Sequence, residues 1–209
     1  MMDASINIRG LKRCAVEHAG DVPVPAPLPP TGKKVAVIGG GPGGISAAYY
    51  LALMGHAVTI FESKKKLGGM LRYGIPSYRL PREILDKEIA ELMSVGITVK
   101  TETHVGENPS IIDLKKDFDA VYIAIGAQTD KKIGIEGEDA KGVVSAVEML
   151  RGIGDDEMPD FKGKDIIVIG GGNVAMDVAR SSIRLGAKRV RIVYRRRQVD
   201  MTAMREEVE

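Results

Sequence analysis

Two stretches of the chain repeat one pattern: a short apolar run, a glycine turn, an amphipathic segment and a second apolar run. Residues 34–40, KVAVIGG, are continuously apolar and close on glycine, the pattern of a strand buried on both faces of a parallel sheet. Gly43 to Met54 follows as a helix with Gly44, Ala47 and Ala48 along one side, and Gly55 ends it. Residues 57–62, AVTIFE, supply the next strand and complete a β–α–β unit of about 30 residues. Further on, Ile84, Leu85, Ile89, Leu92 and Val95 stand at helical spacing within 82–95, and Gly96 caps that helix. ITVKTE (97–102) and DAVYIAI (119–125) are strands, and Ser145 to Arg151 is helical. The pattern then restarts: DIIVI (165–169), Gly170-Gly171-Gly172, a helix to about Leu185, Gly186, and the strand RVRIVYR (189–195).

The segments between lack periodicity. Residues 1–21 are polar and mixed, with room for a short helix from Ile6 to Gly20. Residues 22–30, VPVPAPLPP, hold five of the ten prolines and form an extended linker or strap. Residues 63–81 are rich in Gly and Pro and form an ordered loop. The fold class is α/β: a Rossmann-like dinucleotide-binding domain on a parallel sheet, followed by the start of a second one. The expected division is 1–32 as N-terminal arm and strap, 33–160 as the first domain, and 161–209 as the first β–α–β of the second. The copies are offset by 170 − 39 = 131 residues, too long for a solenoid period and suited to two nucleotide sites.

Composition narrows the function. The 30 Lys+Arg against 28 Asp+Glu leave a net charge of +2, and aromatics are 4% with no Trp. Neither a basic footprint nor stacking faces for nucleic acid are present. Cys14 is the single cysteine, so disulfide frameworks, a Cys-x-x-Cys relay and Cys-ligated zinc or iron–sulfur sites are excluded within the chain. No apolar run reaches the roughly 20 residues of a membrane helix, and no apolar signal core opens the chain. No membrane association and a reducing, cytoplasmic compartment are expected. His18, His56 and His104 stand in no catalytic constellation, and no metal site or obligatory catalytic side chain is expected.

The first glycine motif is Gly39-x-Gly41-x-x-Gly44, placed between strand and helix, with Glu62 at the end of the next strand. Gly39 allows the tight turn, Gly41 allows backbone to approach a pyrophosphate, and Gly44 lets the helix pack close to the strand. The helix N-terminus offers unpaired N–H groups to the phosphates, and a carboxylate at Glu62 accepts ribose hydroxyls. In the loop beyond, Gly68-Gly69 permits close approach of a ribose or phosphate, while Lys64-Lys65-Lys66 is a solvated charge run. Arg79 supplies a guanidinium either to the pyrophosphate or flavin, or to a salt bridge.

The second motif, Gly170-x-Gly172-x-x-Ala175, has no carboxylate at the end of its second strand; Tyr194-Arg195-Arg196-Arg197 stands there. A carboxylate repels a 2′-phosphate and arginines bind it bidentately, so this site selects NADP(H). The alternative is a solvated or nucleic-acid-facing patch. An acid at one tip and a basic cluster at the other suit FAD and NADPH, and hence hydride transfer from nicotinamide to flavin.

Val35–Glu62, the loop GGMLRYGIPSYRLP (68–81) and Gly170–Arg196 resemble the small (beta) subunit of NADPH-dependent glutamate synthase. The same module is similar in dihydropyrimidine dehydrogenase and in NADH-dependent ferredoxin:NADP oxidoreductase. The resemblance implies that Gly39, Gly41, Pro42, Gly43, Glu62, Gly69, Leu71, Arg79 and Val105 line FAD, Val105 through its backbone near the adenine. It implies that Gly171, Gly172, Asn173, Val174, Arg195 and Arg196 line NADP(H). It also implies electron delivery to an iron–sulfur protein or domain such as a glutamate synthase large subunit. Residues Ile8 to Arg13 resemble the tail of the family's N-terminal iron–sulfur segment, whose cysteines are absent here. IAIGA (123–127) replaces the family's Ala-Thr-Gly run, and the chain is read as truncated, ending at Glu209 inside the second domain. Such a half-built sheet is expected to leave apolar surface uncovered. The competing class is a non-catalytic nucleotide-binding or scaffold module of a larger redox complex.

Overall fold

A computed structural model describes residues 6–20 and 22–208; residues 1–5 of the arm, Asp21 before the strap and Glu209 lie outside the described residues. Helix α1 (Ile8–His18) is exposed throughout and is capped by the Asn7 side chain accepting from the Gly10 N–H. The proline strap then docks on the first unit: Leu28 N–H donates to Leu53 O at 2.8 Å and Thr31 N–H to Gly55 O at 2.9 Å.

The first unit is a four-stranded parallel sheet in the order β3-β2-β1-β4. Its strands are β1 (Lys34–Ile38), β2 (Ala57–Phe61), β3 (Thr98–Lys100) and β4 (Ala120–Ile123). Register runs from Lys34 opposite Ala57 to Ile38 opposite Phe61, with Val35 opposite Ala120 on the other side. Both faces of β1 are buried. Val37 packs with Ile45, Ala48, Ala52, Val58 and Ile60, beneath α2 (Pro42–Leu53) and α4 (Arg82–Met93). Ala36 and Ile38 pack with Phe61 and Leu114 on the opposite face, beneath α5 (Ile111–Asp117). The continuous apolar pattern of KVAVI is explained by this two-sided cover.

Two helices interrupt segments that sequence periodicity leaves as loop. α3 (Met70–Tyr73) is a single turn within the glycine-proline loop. α5 carries a capping box between Ser110 and Asp113, a signal present in the sequence as Ser-x-x-Asp.

The second unit is a two-stranded parallel sheet, β5 (Asp165–Ile169) with β6 (Arg189–Val193), joined by α7 (Asn173–Arg184). Its core joins Val168, Ala175 and Val178 with Met149 and Leu150 of α6 (Ala146–Gly154), so α6 is buried against this unit. The other face of the sheet carries Ile167 and Ile169, 63% and 59% exposed, the uncovered apolar surface expected of a two-strand sheet. A 3₁₀ turn (Gln198–Asp200) and α8 (Arg205–Val208) follow β6.

Candidate functional site

A crevice of about 640 Å³ opens where the carboxyl ends of β1, β2, β3 and β4 meet, the place where strand order reverses in a doubly wound sheet. Its wall includes Gly39, Gly41, Pro42, Gly43, Glu62, Gly69 and Val105. The turn is built as its residues require. Gly39 has φ +105°, and a Cβ there would sit 2.4 Å from Ala124 O. Gly41 is the extended N-cap of α2, Pro42 opens the helix, and Gly43 has open space where a side chain would project. Gly44 lies beneath the turn rather than in the crevice wall: a Cβ would stand 1.9 Å from Gly39 O, so helix and strand touch only because it is glycine.

Glu62 is 6% exposed and held by three donors. Its Oε2 accepts from Gly40 N–H at 2.7 Å; its Oε1 accepts from Lys64 N–H at 2.8 Å and the Ser63 hydroxyl at 3.1 Å. An ionised carboxylate has about four acceptor directions, so three donors leave one open, and two if the Ser63 hydroxyl turns away.

Other wall residues come from loops that the motif does not predict: Thr103 and His104 after β3, Gln128 after β4, and Arg151 of α6, whose guanidinium donates to Gln128 O. Lys64, from the run read as solvated, pairs with Asp155 at 2.9 Å and is only 35% exposed. Two predicted crevice residues lie elsewhere. Leu71 points into a smaller apolar cavity between α2 and α4, beside Ile45, Tyr49 and Leu92. Arg79 takes the salt-bridge alternative, pairing Nε with Asp177 Oδ1 at 2.5 Å and Nη2 with Glu207 Oε2 at 2.8 Å. Those two carboxylates lie 98 and 128 positions on, and no local pattern announces them.

The second turn repeats the geometry. Gly170 has φ +145° and Gly172 is the extended N-cap of α7, as Gly41 is of α2. Gly171 lies against the Tyr194 ring, where a Cβ would fall 2.7 Å from it. The β5–β6 register places Ile169 opposite Val193, so Arg195 and Arg196 lie just past the strand end beside this turn. Both are exposed, and neither forms an ion pair among the described residues, whereas Arg197 pairs with Asp200 at 3.1 Å. Val174 is exposed on the first turn of α7. The segment after the 3₁₀ turn crosses the start of α7: Ala203 N–H donates to Gly171 O at 3.1 Å and Met204 N–H to Asn173 Oδ1 at 3.0 Å.

Among the described residues no group of His, Cys, Asp and Glu is arranged to hold a metal, and no helix is long and apolar enough to cross a membrane.

A model of the pyridine nucleotide-disulphide oxidoreductase family matches residues 33–209. The chain is 48% identical over 180 residues to the NADP(+)-dependent formate dehydrogenase subunit beta of Moorella thermoacetica, a match covering 85% of this chain and 26% of that protein. It is 38% identical over 188 residues to the NADPH glutamate synthase small chain of Escherichia coli K12, covering 85% of this chain and 40% of that one. The resemblance read from the motifs is therefore borne out. The structure of FprA from Mycobacterium tuberculosis in complex with NADPH matches with a TM-score of 0.71 at 25% identity, covering 84% of this chain and 46% of that chain. The chain thus spans between 26% and 40% of the length of these two relatives.

Proposed function

The chain belongs to the pyridine nucleotide-disulphide oxidoreductase family, and from that premise we propose that it holds FAD at the first glycine turn and NADP(H) at the second. The observation that carries this reading is the opposite charge at the ends of two equivalent strands: Glu62 after β2, Arg195 and Arg196 after β6.

The first crevice fits a dinucleotide. Its volume lies within the range of about 300–1,000 Å³ usual for cofactor sites. Pro42 has no N–H, so Gly43 presents the first free donor of α2 to a pyrophosphate, unobstructed by any side chain. Glu62 receives the adenosine ribose, Gly69 and Val105 flank it, and Gly39 holds the turn. At the second turn Gly170, Gly171 and Gly172 bring backbone close to the ligand, Asn173 and Val174 open the helix beneath it, and Arg195 and Arg196 take the 2′-phosphate. When bound, the two cofactors supply hydride transfer from nicotinamide to flavin. The chain's own groups bind and align; no acid, base or nucleophile is required. Onward delivery of electrons to an iron–sulfur protein or domain rests on the likeness to the glutamate synthase small chain.

One observation favours the scaffold reading: Gly171 O and Asn173 Oδ1 are already engaged by the segment that crosses the start of α7. The visible spectrum separates the two. The purified chain supplied with FAD should retain it through gel filtration and lose its yellow colour when NADPH is added without oxygen. A chain that stays colourless is a scaffold.

A further inference from the structure

Helix α6 belongs to both units. Ala146, Met149, Leu150 and Ile153 face the second unit's core, against Val168, Ala175 and Val178. Arg151 and Asp155, four positions apart, share the opposite face, and this face meets the first unit. Asp155 pairs with Lys64 at 2.9 Å, and the Lys64 ammonium lies 5.6 Å from the centre of the Tyr73 ring. Between the two faces, a Cβ at Gly154 would stand 2.9 Å from Arg72 O and from Tyr73 Cα, so α6 reaches α3 only because that position is glycine. Arg151 itself stands in the wall of the first crevice, where its guanidinium donates to Gln128 O, two residues past Gly126 of the same wall.

Besides His104, the ionisable side chains of the wall at neutral pH are Glu62, Lys64 and Arg151. Glu62 is held by the Gly40, Ser63 and Lys64 donors, and Lys64 is matched by Asp155. Arg151 forms no ion pair among the described residues; a backbone carbonyl takes one of its N–H groups and leaves its charge in place. The crevice thus holds a cation free to pair with an anion that enters. FAD carries its negative charge on the pyrophosphate, and the N-terminus of α2 answers it with only about half a unit of positive charge.

We propose that Arg151 is an anion-binding residue of the first site and donates to the pyrophosphate of the bound dinucleotide. The assignment rests on the preceding reading of this crevice as the FAD site. Because α6 is built into the second unit's core, the second unit then supplies a group to the first unit's ligand. The Lys64–Asp155 pair and the close approach at Gly154 hold the helix in place beforehand, which lowers the ordering cost of binding.

The chain has no Trp, so Tyr122→Trp in the crevice wall gives a fluorescence signal confined to the first site. In that background FAD, ADP and adenosine are titrated into the parent, Arg151→Lys and Arg151→Ala. Gln128 is exposed, so its carbonyl turns to water in Arg151→Ala and the chain stays folded, which circular dichroism checks. Loss of the guanidinium should weaken FAD and ADP by about ten-fold or more, with lysine in between. Adenosine, which has no phosphate, should stay within about two-fold, and the ADP loss should shrink as salt rises. Unchanged ADP affinity in folded Arg151→Ala overturns the assignment. So does an equal fall for ADP and adenosine, which would show that Arg151 only shapes the wall through Gln128. A parent that binds ADP but not FAD overturns the flavin reading alone, since the ADP comparison still decides Arg151; a parent that binds neither overturns both.

Discussion

Replacing Glu62 separates what the carboxylate does for the fold from what it does for a ligand. Its oxygens hold two backbone donors, Gly40 N–H at 2.7 Å and Lys64 N–H at 2.8 Å, across the turn that shapes the crevice. In Glu62→Ala both donors lose their partner. Gly40 is buried, so its N–H bears the full desolvation penalty of about 1–3 kcal/mol; Lys64 is half-buried and recovers part of its loss from water. The expected destabilisation of the flavin-free chain is about 2–4 kcal/mol, a large share of the roughly 5–15 kcal/mol that holds a domain together. Glu62→Gln keeps one acceptor and turns an NH₂ toward the other donor, so about half that loss is expected. Urea unfolding without FAD reads this directly, and a flavin titration on the same proteins reads the ligand term. Both variants should also weaken FAD retention. A flavin-free Glu62→Ala chain within about 0.5 kcal/mol of the parent would refute the reasoning, because the carboxylate would then be holding nothing at the strand end.

Arg195→Ala with Arg196→Ala should lower the NADPH-over-NADH preference by about ten-fold or more, with thermal stability within about 0.5 kcal/mol of the parent; binding titrations of the two nucleotides check it, and an unchanged preference removes both arginines from the 2′-phosphate. Gly44→Ala should cost about 1–3 kcal/mol or more, since its methyl carbon would stand 1.9 Å from Gly39 O and the helix must retreat; denaturant unfolding measures the loss. Burial, and then the Asp177 charge, hold the Tyr78 phenol above its usual value, so the folded chain keeps that proton longer than the unfolded one. The stability this brings is present below about pH 10 and lost as pH rises through the folded value; the difference in urea midpoint between the parent and Tyr78→Phe should shrink across that range.

What the sequence makes legible is local. The apolar run, the glycines and the acidic strand end lie within about 30 residues of one another, and the turn, α2 and Glu62 all take their expected places. The Ser110–Asp113 capping box is equally local, but the seven residues of α5 are too few to show a period. Thr103 and Gln128 are a different case. They reach the crevice because β3 and β4 flank β2 and β1, and strand order is a property of the whole sheet. Arg79 shows the same limit in sharper form: its chemistry suits a phosphate or a carboxylate equally, and the carboxylate it meets, Asp177, stands 98 positions away.

The two turns also differ in how ready they are. Both place a glycine at positive φ and an extended glycine at the helix N-cap, so their backbones are near copies. At the first, burying a carboxylate is tolerable only because three donors replace its water, and those same donors fix its direction before any ligand arrives. At the second, the arginines stay in solvent with no ion-pair partner among the described residues, so ordering their side chains is left to the moment of binding. For the proposed ligands, affinity at the first turn should then follow from shape and preset hydrogen bonds, and affinity at the second from a screened charge interaction. On the proposed reading of two nucleotide sites, the carboxylate tip is assembled by folding, and the arginine tip is left for its ligand to complete.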